Sequence, residues 1–198
     1  GLQYFLAQLI VGSRFSPHYS LAHNTISDLG NTSCSAFNNR PICSPLHLIM
    51  NVSFIILGIT LVAGSMLLYY RFKQSRKNTL GFGLYAVGGI GVVMVGLFPE
   101  NTVSALHGIG AALPFLIGNM GIVLLGFSLK LPKLLLIYTM LTGLIALIAL
   151  GFYATSYYLG LGEGGIERVV AYPQTIWMVV LGIYLLMHPQ HPRKGLVA

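Results

Sequence analysis

The sequence predicts an all-α, polytopic transmembrane bundle of about six spans, with an ordered loop cap on its outer side. Three observations lead there: apolar stretches of membrane-crossing length, basic residues concentrated in alternate gaps between them, and one long polar segment holding both cysteines. The stretches run over residues 46–70, 79–98, 103–129, 134–159 and 169–188. About 20 apolar residues in a helix cross a hydrocarbon core of about 30 Å. Hydrophobic residues make up 55% of the 198 and charged residues 8%, against roughly a quarter charged in soluble domains. The whole chain, 1–198, is therefore expected to be one transmembrane domain.

The first element is the least complete. Residues 1–12, GLQYFLAQLIVG, are apolar but too short to cross a bilayer, and read as the outer part of a first helix. A cleaved signal peptide is the competing reading, although the small-residue cleavage pattern is not evident. Residues 13–45 then form an outer loop. Cys34 and Cys43 lie nine positions apart in its Ser-, Asn- and Pro-rich part. An oxidising compartment preserves disulfides where the cytosol does not, so the two are expected to be bonded; free thiols or metal ligands are the alternatives. Asn31-Thr32-Ser33 is a glycosylation sequon on that side, whereas Asn51-Val52-Ser53 falls inside a span.

Within the spans, Gly81, Gly83, Gly88, Gly89, Gly91 and Gly96 recur in the third, and Gly108, Gly110, Gly118, Gly121 and Gly126 in the fourth. Small residues let helices approach closely in lipid, and that is their expected use. No Gly cluster precedes a Lys-Ser/Thr pair, which excludes a phosphate loop. Pro114 and Pro173 are expected to kink their helices. No internal repeat supports an inverted-repeat transporter, and no mid-span Lys supports a retinal Schiff base.

Charge orients the bundle. The net charge of +7 suggests nucleic acid at first sight, but eight basic residues sit in alternate gaps: Arg71, Lys73, Arg76 and Lys77, then Lys130 and Lys133, then Arg193 and Lys194. The intervening segments hold every acid: Asp28, Glu100, Glu163 and Glu167. Cytoplasmic loops are enriched in Lys and Arg. The pattern predicts a multi-pass cell-membrane protein with both termini cytoplasmic, and excludes nucleic acid as a partner. Lys73 and Arg193 are placed inside, Asn31 and Glu163 outside.

The polar residues gather on the outer side in three segments. These are Asn24-Thr25-Ile26-Ser27-Asp28-Leu29-Gly30, then Phe98-Pro99-Glu100-Asn101 followed by His107, then Glu167-Arg168 with Tyr172 and Trp177 beyond. In that order the three motifs resemble the membrane family catalogued as domain of unknown function 998. The resemblance covers the chain from about Tyr19 to the last span. It implies a small multi-helix integral membrane protein and brings no reaction with it.

Ionisable residues near hydrocarbon are costly unless paired, which makes this cluster the candidate site. Asp28 or Glu100 is the candidate general base and His107 its acid–base partner. Arg168, Glu167 and Asn24 are the candidate binding residues, with Arg168 as a clamp for an anionic head group. Arg168 is further expected to be the hub, pairing with Asp28 or Glu100 beside His107. Structural readings stand alongside: Asp28 organising a turn that ends at Gly30, Glu167 and Arg168 capping the last helix, and His107 packed by a hydrogen bond. Ser27 is a weaker nucleophile candidate, because adjacent residues rarely form a Ser–His–Asp relay.

No metal is expected, since metal-binding His spacings are absent, and no cofactor. A haem held by His47 and His107 is a remote variant. Three functional classes result. A membrane-embedded subunit or scaffold, partnered by lipids and other membrane subunits, comes first. An enzyme acting on a lipid or lipid-linked substrate at the outer leaflet is the alternative, and a transporter is third.

Overall fold

The computed structural model describes residues 1–72 and 75–188. Lys73, Arg193 and Lys194, three of the residues that orient the topology, lie outside the described part. A short helix α1 (Leu2–Gly12) precedes the cap. Five helices long and apolar enough to cross a membrane follow: α2 (His47–Phe72), α3 (Arg76–Leu97), α4 (Ser104–Ser128), α5 (Lys133–Ala154) and α6 (Gly162–Met187). Arg71, Arg76, Lys77, Lys130 and Lys133 gather at one end of the bundle; all four acids gather at the other, under the cap.

Helices α2 to α6 pack in sequence order, with α3 central. Buried side-chain hydrogen bonds join helices where water cannot. Ser53 Oγ donates to Gln3 Oε1 (2.8 Å), tying α2 to α1, and Tyr172 OH donates to Gln8 Oε1 (2.6 Å), tying α6 to α1. Tyr85 OH donates to the Gln174 carbonyl (2.9 Å) and Trp177 Nε1 to Thr139 Oγ1 (2.9 Å), joining α6 to α3 and α5. Tyr172 and Trp177 of the third motif are thus packing anchors.

The glycines work inside the bundle. A Cβ on Gly58 would lie 2.5 Å from the Gly89 carbonyl oxygen, and one on Gly96 2.5 Å from that of Asn51, so α2 and α3 touch backbone to backbone. A Cβ on Gly91 would collide with the Gly110 carbonyl of α4. Gly126 and Gly143 bring α4 and α5 together in the same way. Of the two prolines, Pro114 sits in a π-helical stretch, Leu113–Gly118, in the middle of α4. Pro173 lies inside a helix that continues through it to Met187.

The cap is tied on several sides. Cys34 and Cys43 form a disulfide at the base of an antiparallel hairpin, β1 (Ser35–Phe37) and β2 (Arg40–Ile42). Asn38 and Asn39 take φ of 48° and 59° in its two-residue turn, the left-handed geometry such hairpins require. Ser16 N–H donates to the Cys43 carbonyl (2.9 Å). Asn31, the sequon asparagine, is only 1% exposed, so the folded cap withholds its amide from a transferase.

The last helix begins earlier than its apolar stretch. The expected start near residue 169 is corrected to Gly162, because the Gly162-Glu163-Gly164-Gly165 run is helical. Its glycines are there for contact: a Cβ on Gly162 or Gly164 would run into the carbonyls of Ala22 and Asn24. Gly164 N–H donates to the Ala22 carbonyl at 2.9 Å. Glu167 and Arg168 consequently sit in the second turn, buried, and do not cap the helix.

Gly91→Ala should destabilise the detergent-solubilised protein by about 1–3 kcal/mol, the usual cost of overpacking. Gly83→Ala, where nothing lies within 4 Å, should be neutral or slightly stabilising, since Ala is the better helix former. Thermal unfolding of the two variants decides it; equal losses would contradict the packing role given to Gly91.

Candidate functional site

The first motif folds into a reciprocal turn. Thr25 N–H donates to Asp28 Oδ2 (3.1 Å) and Asp28 N–H to Thr25 Oγ1 (3.1 Å). This is the capping-box arrangement, in which two main-chain donors are satisfied by each other's side chains. It opens the 3-10 turn Ser27–Gly30 and presents Ser27 next to a fully buried Asp28. Asn24 Nδ2 also donates to Asp28 Oδ2 (2.9 Å).

The hub of the acids is Arg40, not Arg168. Arg40 Nη2 pairs with Asp28 Oδ1 at 3.2 Å, and Nη1 pairs with Glu163. The hairpin turn therefore carries a guanidinium down onto the helix ends. The expected contact of Arg168 with Asp28 or Glu100 is corrected. Its Nη1 donates to the carbonyls of Leu21 (2.9 Å), Asn24 (3.0 Å) and Gly164 (2.6 Å), and its Nη2 to Tyr19 OH. Main-chain carbonyls converge there because the glycines of α6 let the loop come close, and they occupy the fork before any carboxylate reaches it. Its guanidinium carbon also lies 5.5 Å from the Tyr19 ring centroid.

Three elements converge on His107, one turn into α4. Its Nδ1 lies 2.8 Å from the Phe98 carbonyl at the end of α3, and its Nε2 lies 2.9 Å from Ser27 Oγ. A carbonyl only accepts, so Nδ1 carries the proton, and in the neutral ring Nε2 is left as the acceptor for the Ser27 O–H. A serine, a histidine and an acceptor that orients the ring are thereby in line.

Ser27 and His107 open onto a cavity of about 280 Å³ at the cap end, walled also by Arg40, Glu100, Glu163 and Glu167. Gly108, Ala112, Leu150 and Tyr153 form its side between α4 and α5. There Gly108 and Ala112 are exposed, because α5 packs along the inner half of α4 and diverges from its outer turns. A second, smaller cavity of about 40 Å³ reaches from Ser27 and Glu167 into the bundle between Leu57, Leu61, Val92 and Phe115. Ser27 and Glu167 border both cavities.

The expected site residues therefore separate. Asp28, Glu100, His107 and Glu167 come together, but Asn24 and Arg168 do not line the cavity; they hold its floor in place. Glu167 accepts from Ile26 N–H at 2.6 Å. Burial first, and then the Asp28 carboxylate it faces, push the Glu100 carboxyl up to about 9. The Ser27–His107 pair, Arg40 and Glu163 were not assigned to the site from sequence. The Asn38-Asn39 turn between cysteines is the one local signal that places Arg40 over the bundle; nothing local pairs Ser27 with a residue 80 positions away. His47 bonds the Ser44 carbonyl (2.9 Å), and among the described residues no group of three or more acids, His or Cys is arranged to hold a metal ion.

Helices of this length and composition define a multi-pass membrane protein, here with a cap-side cavity that carries carboxyls, an arginine and a histidine on its wall. A family profile with the description "Protein of unknown function (DUF998)" matches residues 1–184, and the chain belongs to that family. No curated protein and no solved structure gives a significant match.

A raised carboxyl favours the folded state only while it is protonated. Glu100's contribution is complete below the unfolded value of about 4.3 and is lost as pH rises through about 9. Wild-type thermal stability should fall between pH 5 and pH 9, and Glu100→Gln should flatten that slope. Parallel pH profiles for the two proteins would remove the buried, protonated Glu100.

Proposed function

We propose that the protein is a membrane-embedded serine hydrolase or acyltransferase acting on an ester-linked amphiphile at the cap side of the membrane. The observation that carries this reading is the Ser27 Oγ–His107 Nε2 contact of 2.9 Å, with His107 Nδ1 held by the Phe98 carbonyl. Nucleophile, base and orienting acceptor are the parts an activated serine needs, whatever their order in the chain.

In the first step Ser27 Oγ bonds to the ester carbonyl carbon while His107 Nε2 takes the hydroxyl proton. The carbonyl oxygen becomes an oxyanion on the wall that bears Arg40, whose Nε–H has no partner among the described residues. Collapse breaks the ester C–O bond, and His107 returns its proton to the departing alcohol. Water or a second alcohol then attacks the acyl-serine, His107 again taking the proton, and Ser27 is restored. Asp28 acts as a positioning residue, holding Arg40 and the turn that bears Ser27. The gap between α4 and α5 supports lateral entry from lipid.

The subunit or scaffold reading loses part of its support, since Gly58, Gly91, Gly96, Gly126 and Gly143 are already occupied within the bundle, whereas Gly83 and Gly108 face open space. Membrane lipids are the partners the enzyme reading requires. A transporter would need a polar path through the membrane, and the smaller cavity is mostly apolar.

A fluorophosphonate probe should label the detergent-solubilised protein at Ser27. Labelling should vanish in Ser27→Ala and fall by about 10²-fold or more in His107→Ala, in line with the contribution of a positioned general base. Undiminished labelling in His107→Ala would remove the catalytic pair.

We further propose that the cap faces the outside of the cell membrane and both termini face the cytoplasm, supported by the separation of basic and acidic ends. In intact cells an impermeant maleimide should label Ser33→Cys and not Lys130→Cys. Labelling at position 130 would invert the orientation.

A further inference from the structure

We infer that the cavity beside Ser27 receives an ammonium head group, and in particular an alkylated one, so that the substrate's head is cationic or zwitterionic. This rests on the site proposed above and reverses the sign expected from a clamp at Arg168. Among the described residues two arginines lie near the site, and the terminal nitrogens of both are committed, leaving only their Nε–H groups without a partner. Arg168 does not line the cavity and is bonded to three carbonyls and a tyrosine. Arg40 does line it, but its two terminal nitrogens are held by Asp28 and Glu163.

Around that one cation stand three carboxylates, Asp28 and Glu163 bonded to it and Glu167 on the wall beside it, so the site carries excess negative charge without Glu100, which is protonated. Glu167 is 4% exposed and borders both cavities; Ile26 N–H takes one of its oxygens, and no hydrogen bond among the described residues engages the other. A buried carboxylate with an oxygen to spare calls for a positive or donor-rich guest.

The remaining wall is aromatic. Phe115 and Tyr153 line the same cavity and stand edge to face, with ring centroids 6.5 Å apart and planes at 86°. Ring faces attract cations within about 6 Å of the centroid, and aromatic walls with carboxylates are how proteins take quaternary ammonium. An ammonium with no alkyl groups would use the carboxylates alone; alkyl groups add contact with the rings. The α4–α5 gap lies on this aromatic side, so a head group entering from lipid meets Tyr153 on its way to Ser27.

The test uses Ser27→Ala in nanodiscs, so that binding is read without turnover and independently of whether Ser27 is a nucleophile. One arm titrates tetramethylammonium chloride, with sodium acetate and sodium phosphate as anion controls, and follows thermal stability. The other arm measures displacement of a fluorescent phosphatidylcholine by unlabelled phosphatidylcholine or phosphatidylglycerol. Tetramethylammonium should stabilise the protein and the anions should not, and Tyr153→Leu should weaken its binding about fivefold or more. Glu163→Gln should weaken it too.

Phosphatidylcholine displacing better than phosphatidylglycerol identifies the guest as a lipid head group. Tetramethylammonium binding without lipid preference identifies a free amine, and supports the same chemistry. Stabilisation by phosphate or acetate, preference for phosphatidylglycerol, or ammonium binding indifferent to Tyr153→Leu overturns the inference. Unlabelled Ser27 with intact ammonium binding would reject the hydrolase reading alone.

Discussion

Between Leu21 and Asn24 the chain lies against the first two turns of α6 so closely that side chains are excluded at Gly162 and Gly164. Arg168 fastens it there by gathering the carbonyls of Leu21, Asn24 and Gly164. This constraint comes first in the architecture of the site. It sets the level at which the Thr25–Asp28 turn sits, and so brings Ser27 opposite a histidine from a different helix. A guanidinium bonded to carbonyls keeps its full charge, which a buried position tolerates because several dipoles face it at once. Lys, with three donors on a flexible stem, does not reproduce the planar fork.

Arg40 completes the enclosure from above. Its strands are too short to be stable by themselves, and the disulfide and the Asn38-Asn39 turn make a rigid finger of them. The finger joins a residue of the cap's own turn, Asp28, to one on a transmembrane helix, Glu163. Arg40 from the hairpin and Arg168 from the helix thus supply guanidinium links between cap and bundle, beside the Ser27–His107, Ile26–Glu167 and Gly30–Asn51 bonds.

What was legible in the sequence was what is local. Length and apolarity identify α2 to α5 because nothing but a helix satisfies its backbone in lipid, and two cysteines in one polar loop leave few partners to choose from. The start of α6 was hidden because Gly-Glu-Gly-Gly has low helix propensity, and only the loop packed on it explains those glycines. The convergence of acids was readable from charge segregation. Which arginine they would meet was not: Arg168, adjacent to Glu167 in a motif, drew attention, while Arg40 stood in an unremarkable loop. Proximity to Asp28 makes Ser27 only a weak candidate in the sequence, because its partner is His107, brought by a contact spanning 80 positions.

The π-helical stretch Leu113–Gly118 separates α4 into an outer part that carries His107 and an inner part that packs on α5. A π turn holds one residue more than an α turn, so the two parts are out of rotational phase with an uninterrupted helix. Residues in an α-helix advance by about 100° each. Were the stretch to lose a residue and relax to α geometry, the inner face could stay seated on α5 while the outer part swung by about that angle. His107 would then face away from Ser27 although every side chain of the site was still present. The alignment of the pair is thus stored as helical phase, about two turns below the atoms that use it.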